Sequence, residues 1–477
     1  MRDYAPFLDR VLSSAPEEAD AAIEEVRGDL PAWLRGTLYI NGPARFSRGE
    51  AKYLHWLDGD GMVCAVRFDG EIRCAHRFVR TVRLDVEERA GRPLFRAFGT
   101  AFQDDLLHRG VALASPANVS VYPFAGTLLA LGEQGLPWEL DAATLDTRGP
   151  FTFGGALNDV SPFGAHPKHD PETGELINFG VSFSTTQPML NLYGFTHDAT
   201  LAWRRRVRMD YPRSIHDFGI TKRYLVFYLS PYLLDAAALA RRGATVMDAL
   251  SWRPELGSRL LLVSRATGDA VASIPIGSCY CLHFVNCYDD GEMVVVDVIE
   301  YERPLYDHYR LPALFADVGD GRPIRFVVDA ARGAVAARRA VEYSLAPDFP
   351  AIDAAAVARS YGEFWCVGIS ATGRPGRKFF DELVRVDWTR PDRPATYRAP
   401  AGRFFTAEPA LARAPEGADA ALLCPMYDAG SHRTEVTVFD PRDVERGPAA
   451  SVVLRTALPP LFHSSYVPNS RASARLP

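Results

Sequence analysis

The stretch THDATLAW, residues 196–203, contains the structural unit from which the fold of this chain can be predicted. It follows a run of strand-forming residues, turns at Asp198 and returns into a second such run. Apolar runs bounded by Asp, Gly or Pro are typical of β-strands joined by tight turns. Comparable strand-like runs are LLALG, YLVFYL, RLLLVSR, EMVVVDVIEY, FWCVGIS and EVTVFD. The chain is therefore predicted to be an all-β protein.

The strand–turn–strand unit recurs seven times along the chain. Its turns are centred on Asp69, Asp141, Asp198, Arg265, Asp329, Asp387 and Asp440. Successive centres are separated by 53 residues at the least and 72 at the most, which is enough for about four short strands and their loops. One blade of a β-propeller needs this many strands, so the count predicts a seven-bladed β-propeller. A sandwich or a barrel is the alternative, because any β-hairpin contains the same unit.

Composition narrows the classes of protein to consider. The 37 Gly and 35 Pro residues are spread over the chain without a linker, which predicts one domain over residues 1–477. The net charge of -6 and the lack of a Lys/Arg cluster argue against a nucleic-acid partner. The N-terminus resembles no signal peptide, and no run of about 18 apolar residues occurs. We therefore expect a cytoplasmic protein, with its seven cysteines reduced and mostly buried.

Residues 230–254 interrupt the β pattern. The segment is rich in Ala and Leu after a Ser-Pro start, which predicts a helical insertion that caps one face of the propeller. Its apolar side chains are candidates for lining a substrate entrance or for a peripheral membrane contact. Ordinary packing onto the propeller is the alternative. These positions are Leu233, Leu234, Leu239, Val246, Met247 and Leu250.

Four of the eleven histidines lie at the start or the flank of a strand-like run. They are His166, His216, His283 and His463. Counted against the turn centres, they fall in the third, fourth and fifth units and, by closure of the ring, in the first. An isolated histidine in such a place is usually a core residue, but one histidine in each of four blades predicts a metal site on the propeller axis. Imidazole nitrogen suits Fe, Zn, Cu and Ni.

The other three units each contain an acidic residue. Glu133 is in the second, Asp348 in the sixth and Glu408 in the seventh. A histidine that binds a metal usually donates its other ring N–H to a carboxylate or a carbonyl, so an outer role is expected for these three. Direct ligation by the carboxylates, which would give a harder, oxygen-rich site, remains the alternative.

Several motifs resemble those of the carotenoid cleavage oxygenases, a family that includes apocarotenoid oxygenases, stilbene-cleaving dioxygenases and a retinoid isomerohydrolase. The motifs are NGP at 41–43, HWLDGDGM at 55–62, LGEQGLPWELDAATLDT, GAHPKHDPETGELINFG, SIHDFGITKRYLVF, HFVNCYDDGEMVVVD, FTAEPALA and PPLFHSSYVP. They extend over nearly the whole chain.

The resemblance implies a seven-bladed propeller in which Fe(II) is bound by His166, His216, His283 and His463. It implies outer carboxylates at Glu133, Asp348 and Glu408, and no catalytic side chain beyond the metal site. The implied reaction is cleavage by O2 of a conjugated double bond in an apolar polyene, a carotenoid or apocarotenoid, by a monomer. Isomerisation or ester cleavage of a retinoid-like lipid, alkene cleavage of a stilbene and a metal-free interaction scaffold are the alternatives.

The chain departs from the family pattern at three positions. The family has Glu at the position of Asp348, so the shorter side chain is expected to lengthen or break its contact with His283 unless the backbone or a water closes the gap. The expected effect is a tuned metal site and not the loss of the metal. Val119 replaces a Thr that screens an open metal position in many members. Gly132 replaces the Lys by which stilbene cleavers hold a phenol, and FRAFGTAFQDD lacks their Tyr, so a phenolic stilbene is not the expected substrate.

We expect four residues to line the pocket for substrate and O2. They are Val119, Phe98, Phe102 and Trp138.

Overall fold

The computed structural model of the chain describes residues 3–12, 16–106, 108–109, 112–184, 186–239 and 243–469. Among these residues, seven sheets of four or more strands surround a common axis. The predicted seven-bladed β-propeller is therefore confirmed.

Four of the blades are built from strands that are consecutive or nearly so along the chain, and the order below runs from the axis outward. Blade 2 contains Ser120–Phe124, Thr127–Leu131, Trp138–Leu140 and Thr147–Pro150. Blade 3 contains Lys168–His169, Leu176–Ser182, Met189–Phe195 and Leu201–Arg208. Blade 4 contains Gly219–Ile220, Tyr224–Leu229, Ser258–Ser264 and Ala270–Gly277. Blade 5 contains Tyr280–Asp290, Met293–Tyr301, Gly321–Asp329 and Ala334–Ala340.

Blade 6 is also built from consecutive strands, whereas blades 7 and 1 include the strands that close the ring. Blade 6 contains Asp348–Ala351, Glu363–Gly368, Glu382–Asp387 and Ala395–Arg398. In blade 7, Arg403–Phe405 and Ala410–Arg413 both pair with Ala420–Asp428, followed outward by Arg433–Phe439, Ala450–Val453 and Glu25–Gly28. Blade 1 contains His463–Pro468, Gly36–Arg45, Asp60–Asp69, Glu71–Phe78 and Ala19–Ala22.

The two ends of the described chain join at blades 7 and 1. The last strand, His463–Pro468, is the innermost strand of blade 1 and pairs antiparallel with Gly36–Arg45, with His463 opposite Asn41. The early strand Glu25–Gly28 is the outermost strand of blade 7. His463 therefore completes the first blade by ring closure, as its place after the seventh turn predicts.

All seven predicted turn centres lie between the third and fourth strands of a blade, counted from the axis. Neighbouring strands are antiparallel, so these turns all lie on the face opposite to the one where the inner strands begin. We call the face that contains these turns the turn face, and the face where the inner strands begin the cap face. The described helices are short: Leu8–Val11, Val82–Ala90, Ala236–Leu239 and Val246–Ala249. Searched over the described residues, none of them is long and apolar enough to cross a membrane.

The predicted helical insertion at 230–254 is mostly not helical. Strands Tyr232–Leu234 and Leu250–Trp252 pair with each other, and the two helices between them have four residues each. Residues 240–242 lie outside the described part of the chain. Pairing of these two strands forms the backbone hydrogen bonds at both ends of the segment. Gly243 adopts a positive φ of 77°, and Thr245 then starts a separate helix with a capping box.

The apolar side chains of this segment mainly pack on the propeller. Of the six predicted positions, Leu234 and Met247 are buried and the other four are half-buried. Met247 also donates its backbone N–H to the Phe98 carbonyl at 3.1 Å, which ties the segment to residues 91–106. Packing thus accounts for this sequence better than a membrane contact does.

Candidate metal centre

The four predicted histidines come from four different blades. His463 is the first residue of the inner strand of blade 1, and His283 lies in the inner strand of blade 5. His166 and His216 lie just before the inner strands of blades 3 and 4. All four are therefore at the cap-face ends of inner strands, where the strands approach the axis most closely.

The histidine rings meet at one point. One nitrogen from each ring lies within 4.8 Å of the others, and the Nε2 atoms of His166 and His216 are 2.8 Å apart. Two nitrogens that share an ion at about 2.1 Å each are separated by at most about 4.2 Å. Shifts of less than an ångström would therefore close the four rings around one ion.

Burial favours the neutral form of two of the rings, His166 and His463, and the neutral form is the one that binds a metal. Burial, followed by the three neighbouring imidazoles, holds the pKa of His166 well below its usual value. Burial also lowers the pKa of His463. The Nε2 atom of His283 is buried and has no hydrogen-bond partner in the structure. A buried ring nitrogen of this kind is unfavourable unless a ligand satisfies it, so the donor set fits a transition-metal ion.

Each of the three predicted carboxylates contacts the outer nitrogen of one histidine. The Nδ1 atom of His216 lies 2.6 Å from Glu133, that of His283 lies 2.6 Å from Asp348, and that of His463 lies 3.0 Å from Glu408. A carboxylate at Nδ1 keeps the proton there and leaves the Nε2 lone pair free to face the axis. The geometry thus favours the outer role for the three carboxylates over direct ligation.

The contact between Asp348 and His283 is neither lengthened nor broken, because the backbone closes the gap, which is the exception that the prediction allowed. The contact is direct at 2.6 Å. The backbone makes up for the missing methylene, because the strand has an irregular register between Asp348 and Ala351 and Phe349 adopts a φ of 53°. The N–H of Phe349 donates to the same Asp348 oxygen at 2.9 Å, which fixes the carboxylate against the ring.

The predicted pocket residues separate into two groups. Phe98 packs against His55 and Tyr306, with ring centroids 5.1 Å away in both cases, and the Tyr306 ring in turn packs against His216. Val119 is buried in the same central core and donates its N–H to Leu131. These two stay pocket candidates.

The other two predicted pocket residues have different neighbours. Phe102 packs edge-on against Tyr53 at 5.3 Å. Trp138 packs into a cluster between blades 1 and 2 that includes Tyr39 and Val63. Trp138 points there because side chains alternate between the two faces of a strand, and it shares with Leu140 the face that packs against blade 1. We therefore assign Trp138 to the core, which corrects its predicted place in the pocket.

Position 132 leaves no room for a phenol-binding side chain. A Cβ atom added to Gly132 would lie 2.3 Å from the Ser115 hydroxyl oxygen and 3.2 Å from the Ala117 backbone nitrogen. A lysine here would have to turn the Ser115 hydroxyl aside and shift the Ala117 backbone by a few tenths of an ångström. The glycine therefore agrees with the expectation that the chain does not hold a phenolic stilbene in this way.

Tyr306 is a site residue that the sequence did not reveal. Its hydroxyl donates to the second oxygen of Glu133 at 3.2 Å. Burial is the main cause, and the Glu133 charge the next, of a pKa of Tyr306 that lies far above the usual value. His55 holds the Tyr306 backbone: its Nδ1 accepts the Leu57 N–H, so its Nε2–H donates to the Tyr306 carbonyl at 2.8 Å. Tyr306 is one of 19 tyrosines, and no spacing in the sequence distinguishes it.

Replacing Tyr306 by phenylalanine is expected to weaken metal binding without abolishing it. Glu133 would keep its hydrogen bond with His216 but lose the one from the Tyr306 hydroxyl. That hydrogen bond contributes about 1 kcal/mol, or roughly fivefold in metal affinity. Competition with a chromophoric chelator measures this change directly. Tyr39→Phe is the matched control, because Tyr39 is also buried and also donates one hydrogen bond, to the Ala142 carbonyl in the outer part of the ring. Equal affinities of the two variants would contradict the assigned role.

Comparisons with known proteins agree with this geometry. A sequence model of the family described as Retinal pigment epithelial membrane protein matches residues 12–468. The chain is 30% identical to apocarotenoid-15,15'-oxygenase from Synechocystis sp., over 98% of this chain and 97% of that protein. It is 29% identical to isoeugenol monooxygenase from Pseudomonas nitroreducens, over 94% of this chain and 95% of that protein.

Solved structures show the same architecture. A cobalt-substituted form of the Synechocystis apocarotenoid oxygenase superposes with a TM-score of 0.88 and 26% identity, covering 98% of this chain and all of the other. A chimera of that oxygenase with the retinal pigment epithelial protein gives a TM-score of 0.88 at the same identity. The likeness extends over the entire propeller and its cap.

Proposed function

The chain belongs to the family of the retinal pigment epithelial membrane protein and the carotenoid oxygenases, and we propose that it cleaves a conjugated double bond of a carotenoid or apocarotenoid with O2. It is an oxygenase. One observation carries the proposal: four buried imidazoles meet at one point, and carboxylates fix three of them through Nδ1.

We assign the metal as Fe(II), bound by His166, His216, His283 and His463. Bound ferrous iron would supply the redox chemistry that lets O2 react with an alkene. Three of these rings have a carboxylate that fixes the tautomer, so the protein itself determines which nitrogens face the ion. No side-chain acid or base is needed, since the products form without a proton transfer from the protein.

The surroundings of the histidines favour an apolar substrate. Phe349 packs against His283 and His463 with ring centroids 5.6 and 5.3 Å away, and Phe98 and Tyr306 cover the His216 side. These rings make the cap side of the site largely aromatic. A conjugated chain could lie along them by dispersion and burial of apolar surface, without any charged group to hold it.

Isotope labelling tests the reaction type. In cleavage of an alkene by O2, the carbon–carbon double bond breaks and each fragment takes one oxygen atom as a carbonyl, so no further oxidant or reductant is required. Under 18O2 we expect one labelled oxygen in each carbonyl fragment, read by mass spectrometry within seconds of mixing to limit exchange with water. Fully unlabelled products at the same time points would favour isomerisation or ester cleavage instead.

A substrate panel tests the substrate class. It contains carotenoids, apocarotenals, a hydroxylated stilbene and isoeugenol, the last because of the Pseudomonas relative. We expect cleavage of an apocarotenoid and much slower turnover of the two phenols. No cleavage of any compound by iron-loaded protein would contradict the proposal. Purified protein that holds no stoichiometric iron would favour the scaffold alternative.

We further propose that the chain acts as a monomer in the cytoplasm. Light scattering of the iron-loaded protein tests the monomer, and flotation with neutral lipid vesicles tests a peripheral membrane contact. A stable dimer would contradict the proposed monomer. Complete flotation without substrate would contradict the proposed cytoplasmic location.

A further inference from the structure

A cavity of about 340 Å³ runs along the axis on the side of the histidines that faces away from the cap. His166, His283 and His463 line its inner end. It continues along the inner strands toward the turn face, where exposed His169 and Ala354 line it. The cavity therefore extends from buried ring nitrogens to the protein surface.

Aromatic rings pack against His463 on one side of the histidine cluster, whereas an open cavity with charged side chains lies on the other. On the cap side, the buried rings of Phe349 and Phe462 lie next to His463, and Trp56 packs on Phe462 at 4.5 Å. A divalent cation that crossed this layer would lose its hydration without gaining a ligand, which is strongly unfavourable. The axial cavity has room for roughly ten waters at about 30 Å³ each, so a hydrated ion fits there.

The cavity also contains charged groups in fixed positions. Asp217 is buried and accepts the N–H groups of Phe218 and Phe284, both at 2.8 Å. Lys168 lies 2.7 Å from the same carboxylate, and its side chain is 21% exposed. Asp217 is therefore held by the backbone, whereas Lys168 reaches it from an inner strand through a long, partly exposed side chain.

From this arrangement we propose that the axial cavity is the path by which the metal ion reaches the four histidines, with the Lys168–Asp217 pair as its gate. The inference rests on the proposed metal site. An incoming cation displaces the Lys168 ammonium from Asp217, is held there in partly hydrated form, and moves on past Glu408 to the imidazoles. The lysine closes the path again once the ion has passed.

Metal-uptake kinetics test the path. Metal-free protein is mixed with Co²⁺ in a stopped-flow instrument, and the ligand-field absorbance of the bound ion is followed over time. Lys168→Gln removes the repelling charge and is expected to increase the uptake rate constant at least threefold at low salt, with less effect at high salt. Ala354→Trp obstructs the exposed mouth and is expected to slow uptake at least fivefold.

The matched control is Ala313→Trp, which places the same side chain at an exposed position on the cap face. Its uptake rate should equal that of the unmodified protein. All variants should bind the same final amount of metal, since no ligand is changed. Unaltered rates in both axial variants, or equal slowing by Ala313→Trp, would overturn the inference. If the unmodified protein bound no stoichiometric metal, the proposed metal site itself would fail.

Discussion

Replacing His216 by alanine is expected to abolish stoichiometric metal binding and to reduce alkene cleavage by more than 100-fold. The change removes one of four nitrogens and leaves the Glu133 carboxylate without the ring N–H that it accepts at 2.6 Å. Both effects weaken the site, because an unpaired, partly buried carboxylate is unfavourable and three nitrogens hold an ion less tightly than four. Metal content by elemental analysis and turnover of an apocarotenoid measure the two losses separately.

His197→Ala is the control for this experiment. His197 is exposed and lies in the turn of blade 3, next to Asp198, so its removal should leave both metal content and activity unchanged. Circular dichroism of His216→Ala should retain the β-sheet signal, since most of the blade packing does not involve this ring. Full metal occupancy in His216→Ala would show that the four-histidine centre is not the metal site.

Replacing Asp348 by alanine is expected to lower metal affinity by about 10- to 100-fold, the range typical of partners that orient a metal-binding histidine. Asp348 contacts His283 at 2.6 Å and is almost fully buried. Burial lowers the pKa of His283, but the nearby Asp348 carboxylate raises it by more, so the pKa of this ring is raised overall. Chelator competition measures the affinity.

Two conservative variants separate charge from length at this position. Asp348→Asn keeps the shape and an accepting oxygen, so its loss should be smaller than that of Asp348→Ala. Asp348→Glu restores the family residue but adds a methylene to a contact that is already short, so it should weaken binding rather than improve it. Asp387→Asn, in the turn of the same blade, is the control. A gain in affinity for Asp348→Glu would show that the shorter side chain is a defect that the backbone does not compensate.

The propeller could be predicted because its signal is local and repeated. Each turn centre, such as Asp141 or Asp329, lies between two short strand-like runs, and the turn chemistry depends only on neighbouring residues. Seven repeats at similar spacing then determine the number of blades. The motifs at 41–43 and 55–62 could be read only by resemblance. The structure shows what they do: Asn41 donates to the Ala117 and Ser120 carbonyls, so it joins blades 1 and 2.

The errors arose where long-range contacts decide the local structure. The composition of residues 230–254 favours a helix, but pairing of Tyr232–Leu234 with Leu250–Trp252 limits the helices to single turns. Trp138 is an aromatic residue near a site motif, yet the side of the strand on which it lies directs it into the core between two blades. Neither effect can be read from neighbouring residues, because each depends on a partner that is distant in sequence or on another blade.

The sequence by itself determined the all-β class, the number of blades, the four histidines and the three carboxylates, because these depend on residue type and on spacing along the chain. Only the tertiary structure decided that Asp348 reaches His283, that Tyr306 supports Glu133 and that a cavity leads to the site from the turn face. These features depend on backbone path and side-chain direction to within about an ångström. Residue spacing constrains such distances only to several ångströms.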